Sequence, residues 1–322
     1  MKVAVTGATG FLGKALVESF KKKSVQVIQI GRGKNHKVNG EHIYIKTIDS
    51  SSQYNLSVNK PDVIVHCAAR VHVMNDAVSN PLEEYREVNT RGTINLARQA
   101  ASAGVKRFVF VSSIKVNGEG TSQGKLFTSA DAHAPEDDYG LSKAEAEQQL
   151  IELGQETGME VVIIRPTLVY GPGVKANFAS LMNLVSKGIP LPFRCINDNR
   201  RSLVSVANLV DLVVTCIDHP NAVNETFLVS DDCDVSTSEM VTQMAKALGK
   251  PQWQLPVPKW CYKLAGKALG KQNVIDRLLG SLQVDITHTK NTLGWAPPQS
   301  LEEGFKQTAD AFLQSKKTSG NI

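Results

Sequence analysis

Short apolar runs alternate with amphipathic stretches from the first residues of the chain, the signature of a parallel sheet built from βαβ units. The runs are Val3 to Thr6, Val25 to Ile30, His42 to Ile48, Asp62 to Cys67, Arg107 to Val111 and Glu160 to Ile164. Between them, Leu12 to Lys22, Leu82 to Ala103 and Tyr139 to Thr157 read as helices, each amphipathic enough to cover one face of the sheet. Six such strands predict a doubly wound α/β fold.

After Arg165-Pro166 the pattern gives way to turns rich in proline and glycine, Tyr170-Gly171-Pro172-Gly173 and Ile189-Pro190-Leu191-Pro192, and to irregular helices. The expected organisation is therefore one larger unit over 1–165 and a smaller, mostly helical unit over 166–322. The segment 203–231, with a strand at Glu225 to Ser230, is expected to return to the first unit. Trp253, Trp260 and Trp295 are read as packing residues of the smaller unit, and the polar tail Ser315 to Ile322 as lying outside the packed fold.

Composition narrows the classes. With 42% apolar and 21% charged residues the chain is globular. The balance of 36 basic and 31 acidic residues, net +5, lacks dense basic runs interleaved with aromatics, so nucleic acid is not an expected partner. Five scattered cysteines without C-x-x-C spacing support neither a disulfide framework nor a metal site. No apolar stretch approaches the ~20 residues of a membrane span, and Met1 to Val5 runs straight into a glycine turn, so a cytoplasmic protein without a membrane partner is expected.

The strongest local signal is Thr6-Gly7-Ala8-Thr9-Gly10-Phe11-Leu12-Gly13, placed after a strand and opening a helix. Gly7 allows a tight turn, Gly10 lets backbone N–H groups, with those of Phe11 and Leu12, approach a pyrophosphate, and Gly13 permits close packing of helix on sheet. The G-x-x-G-x-x-G spacing, His66-Cys67-Ala68-Ala69, Asn89, Tyr139-Gly140-Leu141-Ser142-Lys143 and Arg165-Pro166-Thr167-Leu168-Val169-Tyr170-Gly171-Pro172-Gly173 together resemble the extended short-chain dehydrogenase/reductase family, that of NAD-dependent epimerases and dehydratases. The resemblance covers nearly the whole chain. It implies a Rossmann fold, dinucleotide binding by 1–165 with the substrate unit in 166–322, and a cofactor cradle of Gly7, Gly10, Phe11, Leu12, Gly13, Asp49, Ala68, Ala69, Asn89, Tyr139, Lys143 and Pro166, with Asp49 toward adenine.

The second strand ends Gln29-Ile30-Gly31-Arg32, where an NAD enzyme of this fold usually carries a carboxylate for the ribose hydroxyls. Gly31 removes a repulsion against a 2′-phosphate and Arg32 supplies a guanidinium for it, so of NAD and NADP the sequence favours NADP.

Tyr139 and Lys143, spaced i and i+4, share one helix face. A neighbouring ammonium would lower the phenol from its ordinary pKa near ~10 and make it a usable proton donor or acceptor. By resemblance Ser113 completes a catalytic triad with them, hydrogen-bonding the reacting sugar oxygen. Dehydratases of the family carry an Asp-Glu pair after this serine; here Ile114 and Lys115 stand there, which disfavours loss of water. Asn117 departs from a frequent tyrosine. By the same resemblance Asn177, Arg201 and Arg277 contact the diphosphate or sugar of the substrate, the planar arginine fork suiting phosphate oxygens.

The resemblance therefore implies hydride transfer between NAD(P)(H) and carbon 4 of a UDP- or dTDP-linked sugar, nearest to 4-ketoreductases of the quinovosamine type. A UDP-sugar 4-epimerase with tightly held NAD is the second reading, and a dinucleotide-binding protein without turnover the third. A homodimer through the helices at Leu82 to Ala103 and Tyr139 to Thr157 is a further expectation of the family.

Overall fold

The computed structural model describes residues 1–32, 41–71, 80–122, 124–318 and 320. Its main layer is a parallel sheet of seven strands, β1 (Lys2–Thr6), β2 (Gln26–Gly31), β3 (Glu41–Tyr44), β4 (Val63–His66), β5 (Arg107–Val111), β6 (Glu160–Pro166) and β9 (Thr226–Val229), in the order β3-β2-β1-β4-β5-β6-β9. The order reverses between β1 and β4, which pair from Val3 with Val63 to Thr6 with His66, and ligands of such sheets bind in the crevice at the carboxyl ends of that pair. The strands are apolar on both sides because both faces are covered. On one face α1 (Phe11–Lys22) and α7 (Val206–Cys216) pack on Val3, Val5, Val65 and Val109; on the other Ile28, Ile64, Phe108 and Phe110 meet Leu96 and Leu150.

The predicted helix at Leu82 to Ala103 is uninterrupted but not regular, because it carries a π-helical turn. It consists of α3 (Pro81–Tyr85), a π-helical turn (Arg86–Arg91) and α4 (Gly92–Ser102); a short α2 (Leu56–Asn59) precedes β4. Gly92 explains part of this course, since a Cβ there would stand 2.9 Å from Ile48 Cγ2 and 3.0 Å from the Asp49 amide nitrogen. The third helix runs as foreseen, α5 (Asp138–Thr157), capped by the Asp137 carboxylate accepting from the Gly140 amide at 2.7 Å and closed by Gly158 at φ +75°.

Beyond β6 the chain builds a small second sheet, β10-β8-β7, from β7 (Leu168–Tyr170), β8 (Arg201–Ser205) and β10 (Asp234–Val235). Around it lie α6 (Ala176–Ser186), α8 (Thr237–Ala247), α9 (Lys259–Ala268), α10 (Gln272–Leu279), α11 (Thr287–Leu293) and α12 (Leu301–Thr318). Their core is aromatic: Tyr170 stacks on Phe178 at 5.4 Å and tilts against Phe305 at 4.9 Å. Two expectations are corrected here. The tail is largely helical, α12 continuing to Thr318 with Lys316 donating to Ser186 Oγ at 3.1 Å; Ser319, Asn321 and Ile322 lie outside the described residues. Of the three tryptophans only Trp295 packs, 6% exposed and donating to Asp211; Trp253 and Trp260 are 68% and 66% exposed. Among the described residues no helix is long and apolar enough to cross a membrane.

Candidate active site

The glycine turn lies at the carboxyl end of β1, against the loop that follows β4. Gly7 has φ +64°, and a Cβ there would touch the Ala68 amide nitrogen at 3.0 Å, so glycine is required for both conformation and space. A Cβ on Gly13 would stand 2.1 Å from the Gly7 carbonyl oxygen, which is how tightly α1 is seated on the turn. Gly10 caps α1 without a side chain, leaving the first amides of that helix open to an anion, and Phe11 and Leu12 anchor its start in the core. Glycines where a Cβ would collide and an uncapped helix end fit a pyrophosphate; the dinucleotide would lie across Gly7, Gly10, Ala68 and Ala69 toward Pro166 at the end of β6. A groove of about 730 Å³ along α1 and α7 reaches Gly10 and Phe11 but not Ser113, Tyr139 or Lys143, so the chemistry is located by the side chains and strand ends instead.

A buried hydrogen-bond relay holds the two halves of this cradle in register. Thr6 Oγ1 accepts from the Cys67 and Ala68 amides at 3.1 and 3.2 Å and donates to His66 Nδ1 at 2.7 Å; His66 Nε2 donates to Thr93 Oγ1 at 3.0 Å, and Thr93 to the Asn89 carbonyl at 2.7 Å. Asn89, fully buried in the π-turn, accepts from the Arg70 amide at 2.8 Å and donates to the Arg70 carbonyl and to Ser142 Oγ, each at 3.0 Å. The Asn89 side chain thus fastens the loop after β4 to α5. Asp49 is similarly engaged: its Oδ1 accepts from the Ser51 amide and from the Ser51 and Ser52 hydroxyls at 2.8 to 2.9 Å, and these bonds outweigh partial burial to hold the carboxyl below its usual range. Enclosure pushes the Cys67 thiol up to about 12, against the pull of Lys143, so it is not a reactive thiolate. Arg32 is exposed at the end of β2, and the space where a Cβ on Gly31 would stand is open.

Ser113, Tyr139 and Lys143 converge at the end of β5 and the start of α5. Lys143 is 1% exposed, donates to the Val111 carbonyl at 2.9 Å and sits over the Phe110 ring at 4.2 Å. Burial lowers its ammonium to about 8, with Glu147, one turn further along α5, holding it up. The Tyr139 phenol is raised above its ordinary 10 by enclosure, then by Asp137 and Tyr85, whose ring stands edge-on at 6.2 Å; the hydrogen bond with Ser113 acts the other way. This corrects the expectation that Lys143 depresses the phenol: enclosure, Asp137 and Tyr85 prevail, while the ammonium, with one of its three donors on Val111, keeps two others.

Sequence reading missed the support beneath this pair. Glu147, fully buried, accepts from Arg165 Nε and Nη2 at 2.6 to 3.1 Å, while Arg165 Nη1 donates to Asn117 Oδ1 at 3.0 Å and Nη2 meets His133 Nε2 at 2.8 Å. Asn117 also donates to the Thr128 carbonyl at 3.0 Å and is a buried brace. The available signal was the spacing Tyr139, Lys143, Glu147, three positions on one helix face.

Ile114 is buried in the core and Lys115 is paired with Glu119 at 2.7 Å and with Asp137, so this position offers no acid and base for loss of water. Of the residues expected at the substrate, Arg201 donates to the carbonyls of Arg277 at 2.7 Å and Gly280 at 3.3 Å, and Arg277 pairs with Glu119 at 3.1 Å. Burial and the nearby Arg277 lower the Arg201 guanidinium, as expected of a cation lacking a full counter-charge. Asn177 stands exposed at the start of α6, beside the anchored Phe178.

Comparison with known proteins identifies the family and supports the fold. The chain is 62% identical over 314 residues to a UDP-glucose 4-epimerase of Vibrio cholerae, covering 97% of this chain and 96% of the relative. Among solved structures it resembles the UDP-glucose 4-epimerase of Thermotoga maritima with UDP-glucose (TM-score 0.76, 22% identity, 98% and 99% of the two chains). It also resembles the UDP-glucose 4-epimerase of Thermus thermophilus in complex with NAD (TM-score 0.75, 24% identity, 97% and 99%). The family of NAD dependent epimerases and dehydratases matches residues 3–230, and the chain, an enzyme of the extended short-chain dehydrogenase type, belongs to it.

Proposed function

We propose that the chain is a UDP-hexose 4-epimerase that keeps a dinucleotide bound and inverts carbon 4 of its substrate through a transient ketone. The sequence alone ranks a 4-ketoreductase first; the 62% identity to a protein of that epimerase name, over nearly the full length of both, supports the epimerase better. NAD held by Gly7, Gly10, Ala68 and Ala69 would supply the hydride acceptor for carbon 4 and, once reduced, the donor for the return step. Tyr139 exchanges the proton of the 4-hydroxyl, Ser113 holds the same oxygen, and the Lys143 ammonium, fixed by Val111, stabilises negative charge developing beside them. Arg201 and Arg277 fit the diphosphate, whose charge would complete the pairing of Arg201. Of the two dinucleotides NAD fits an enzyme that recycles its cofactor, while exposed Arg32 beside Gly31 leaves a 2′-phosphate unopposed.

Purified protein incubated with UDP-glucose and NAD, followed by chromatography of the sugar nucleotides, tests this reading. UDP-galactose is expected to accumulate to equilibrium with no net absorbance change at the NADH band. Stoichiometric oxidation of NADPH on a UDP-4-keto sugar, without interconversion of the hexoses, would return the assignment to a reductase.

A further inference from the structure

The two tryptophans that fail to pack belong to a segment of unusual apolar exposure. Trp253, Leu255, Trp260, Leu264, Leu269 and Val274 are six of the fourteen large hydrophobic side chains that stand exposed among the described residues, and all six fall between positions 253 and 274. Scattered apolar exposure is ordinary, but such concentration in one short segment marks a contact surface. Helix α9 shows how it is organised. At about 100° per residue, Tyr262 and Gly266 lie on its inner side. Tyr262 packs on the aromatic core, and a Cβ on Gly266 would meet Ile275 Cγ1 at 2.7 Å. Trp260 and Leu264, one turn apart, lie on the outer side, 66% and 61% exposed.

Charge identifies the occupant. Lys259, Lys263 and Lys267 follow one another at i, i+4 and i+8 beside the Trp260–Leu264 stripe, Lys271 comes next, and α9 has no acidic residue. Lys259 pairs with Asp198, whereas the side chains of Lys263, Lys267 and Lys271 have no acidic partner among the described residues. We propose that α9 and its flanking turns form a docking surface for an anionic lipid bilayer, the indole and leucine entering the interfacial layer while the lysines reach the headgroups. The chemistry matches: indoles favour the boundary between apolar and wet, lysine stems lie along apolar surface with the ammonium outward, and unpaired cations beside an apolar stripe are attracted to anionic headgroups. A helix of ten residues is about 15 Å long, so it lies in the plane of the membrane and does not cross it. A second copy fits less well, because a two-fold pairing of this face would set its unpaired lysines against themselves. Read along the chain, the segment looks like ordinary amphipathic helix; only the exposure of its apolar side separates it.

Co-sedimentation of the full chain with vesicles of phosphatidylglycerol and phosphatidylethanolamine, against vesicles of phosphatidylcholine alone, tests this. Binding is expected to the anionic vesicles only, with a blue shift of tryptophan emission and weakening as salt is raised. Two variants, Lys263→Glu with Lys267→Glu and Trp260→Ser with Leu264→Ser, should each weaken it strongly, the charge pair by about 30-fold or more. Thermal melts check that each folds, and if the apolar pair does not, the charge pair decides. Absence of the wild-type protein from the anionic pellet, retention of binding by a folded variant, or a dimer in ultracentrifugation that the apolar pair dissociates would each overturn the proposal. None of these readouts depends on the reaction catalysed.

Discussion

Gly13 approaches Gly7 so closely that a single methyl group between them has no place: its carbon would lie 2.1 Å from the Gly7 carbonyl oxygen. That oxygen accepts from the Gly10 amide at 2.8 Å, so the turn cannot move away without opening. Gly13→Ala is therefore expected to displace α1, destabilise the fold by about 1–3 kcal/mol and lower dinucleotide affinity more than tenfold. Chemical denaturation together with calorimetric titration of NAD checks both effects; an alanine variant with wild-type affinity would show that the turn is not the pyrophosphate seat.

What could be read in the sequence was local. Strand positions followed from runs such as Val3 to Thr6 and Arg107 to Val111 because a strand buried on both faces is apolar throughout, and the parallel order from the helices between them. The glycine turn and Tyr139 with Lys143 were legible because spacing along one element places them. The brace of Glu147, Arg165 and Asn117 was not, since its partners are separated by 18 and 48 residues and meet only when β6 lies beside β5. Likewise the π-turn around Asn89 was not legible, because its apolar positions keep an ordinary helical periodicity.

Cofactor choice is open to a direct test at the end of β2. The space beyond Gly31 is free, so a side chain there meets no steric bar. Gly31→Asp would supply a carboxylate for ribose hydroxyls and repel a 2′-phosphate, and is expected to shift the NAD to NADP affinity ratio at least tenfold toward NAD. Arg32→Ala should weaken NADP alone. Equal effects of either change on both dinucleotides would show that this strand end does not touch the adenosine ribose.

Tyr139 carries the proton transfer in the proposed reaction, and its phenol bonds to Ser113 and lies outside the relay from Thr6 to Asn89 that holds the cradle together. Tyr139→Phe is expected to keep the fold and the dinucleotide while lowering turnover by about 10²–10⁴-fold, the range of a general acid–base group. Steady-state kinetics beside a binding titration separates the two. Unchanged turnover would shift the chemistry to another residue.

Lys143 and Glu147 are linked by one helical turn, and the sign of their coupling is fixed. Burial lowers the ammonium to about 8 while the Glu147 carboxylate supports it, so below that pH Lys143 is charged and above it neutral. Activity that needs the ammonium should fall as pH rises through this region. In Glu147→Gln the support is gone and the alkaline limb should move to lower pH, with a stability loss of about 3–5 kcal/mol from leaving Arg165 buried without its counter-charge. A variant destabilised but with an unmoved pH profile would make Glu147 a packing residue only.

His66 sets a second dependence on pH, this time of the fold. Thr6 Oγ1 already accepts two amide hydrogens, so its single proton goes to His66 Nδ1, which must be the unprotonated nitrogen; the ring proton is on Nε2, facing Thr93. Burial, aided by the positive Lys143, pushes the ring from 6.5 down to about 3. Between those values the unfolded chain holds a proton that the folded chain lacks, so this stability is full above about 6.5 and is lost as pH falls toward 3. Urea unfolding at a series of pH values should show that decline, and His66→Gln, which cannot titrate, should remove its share of the slope even if it lowers stability throughout. An unchanged slope in that variant would mean that His66 is already protonated in the folded protein, and that the relay from Thr6 to Asn89 runs through a different tautomer.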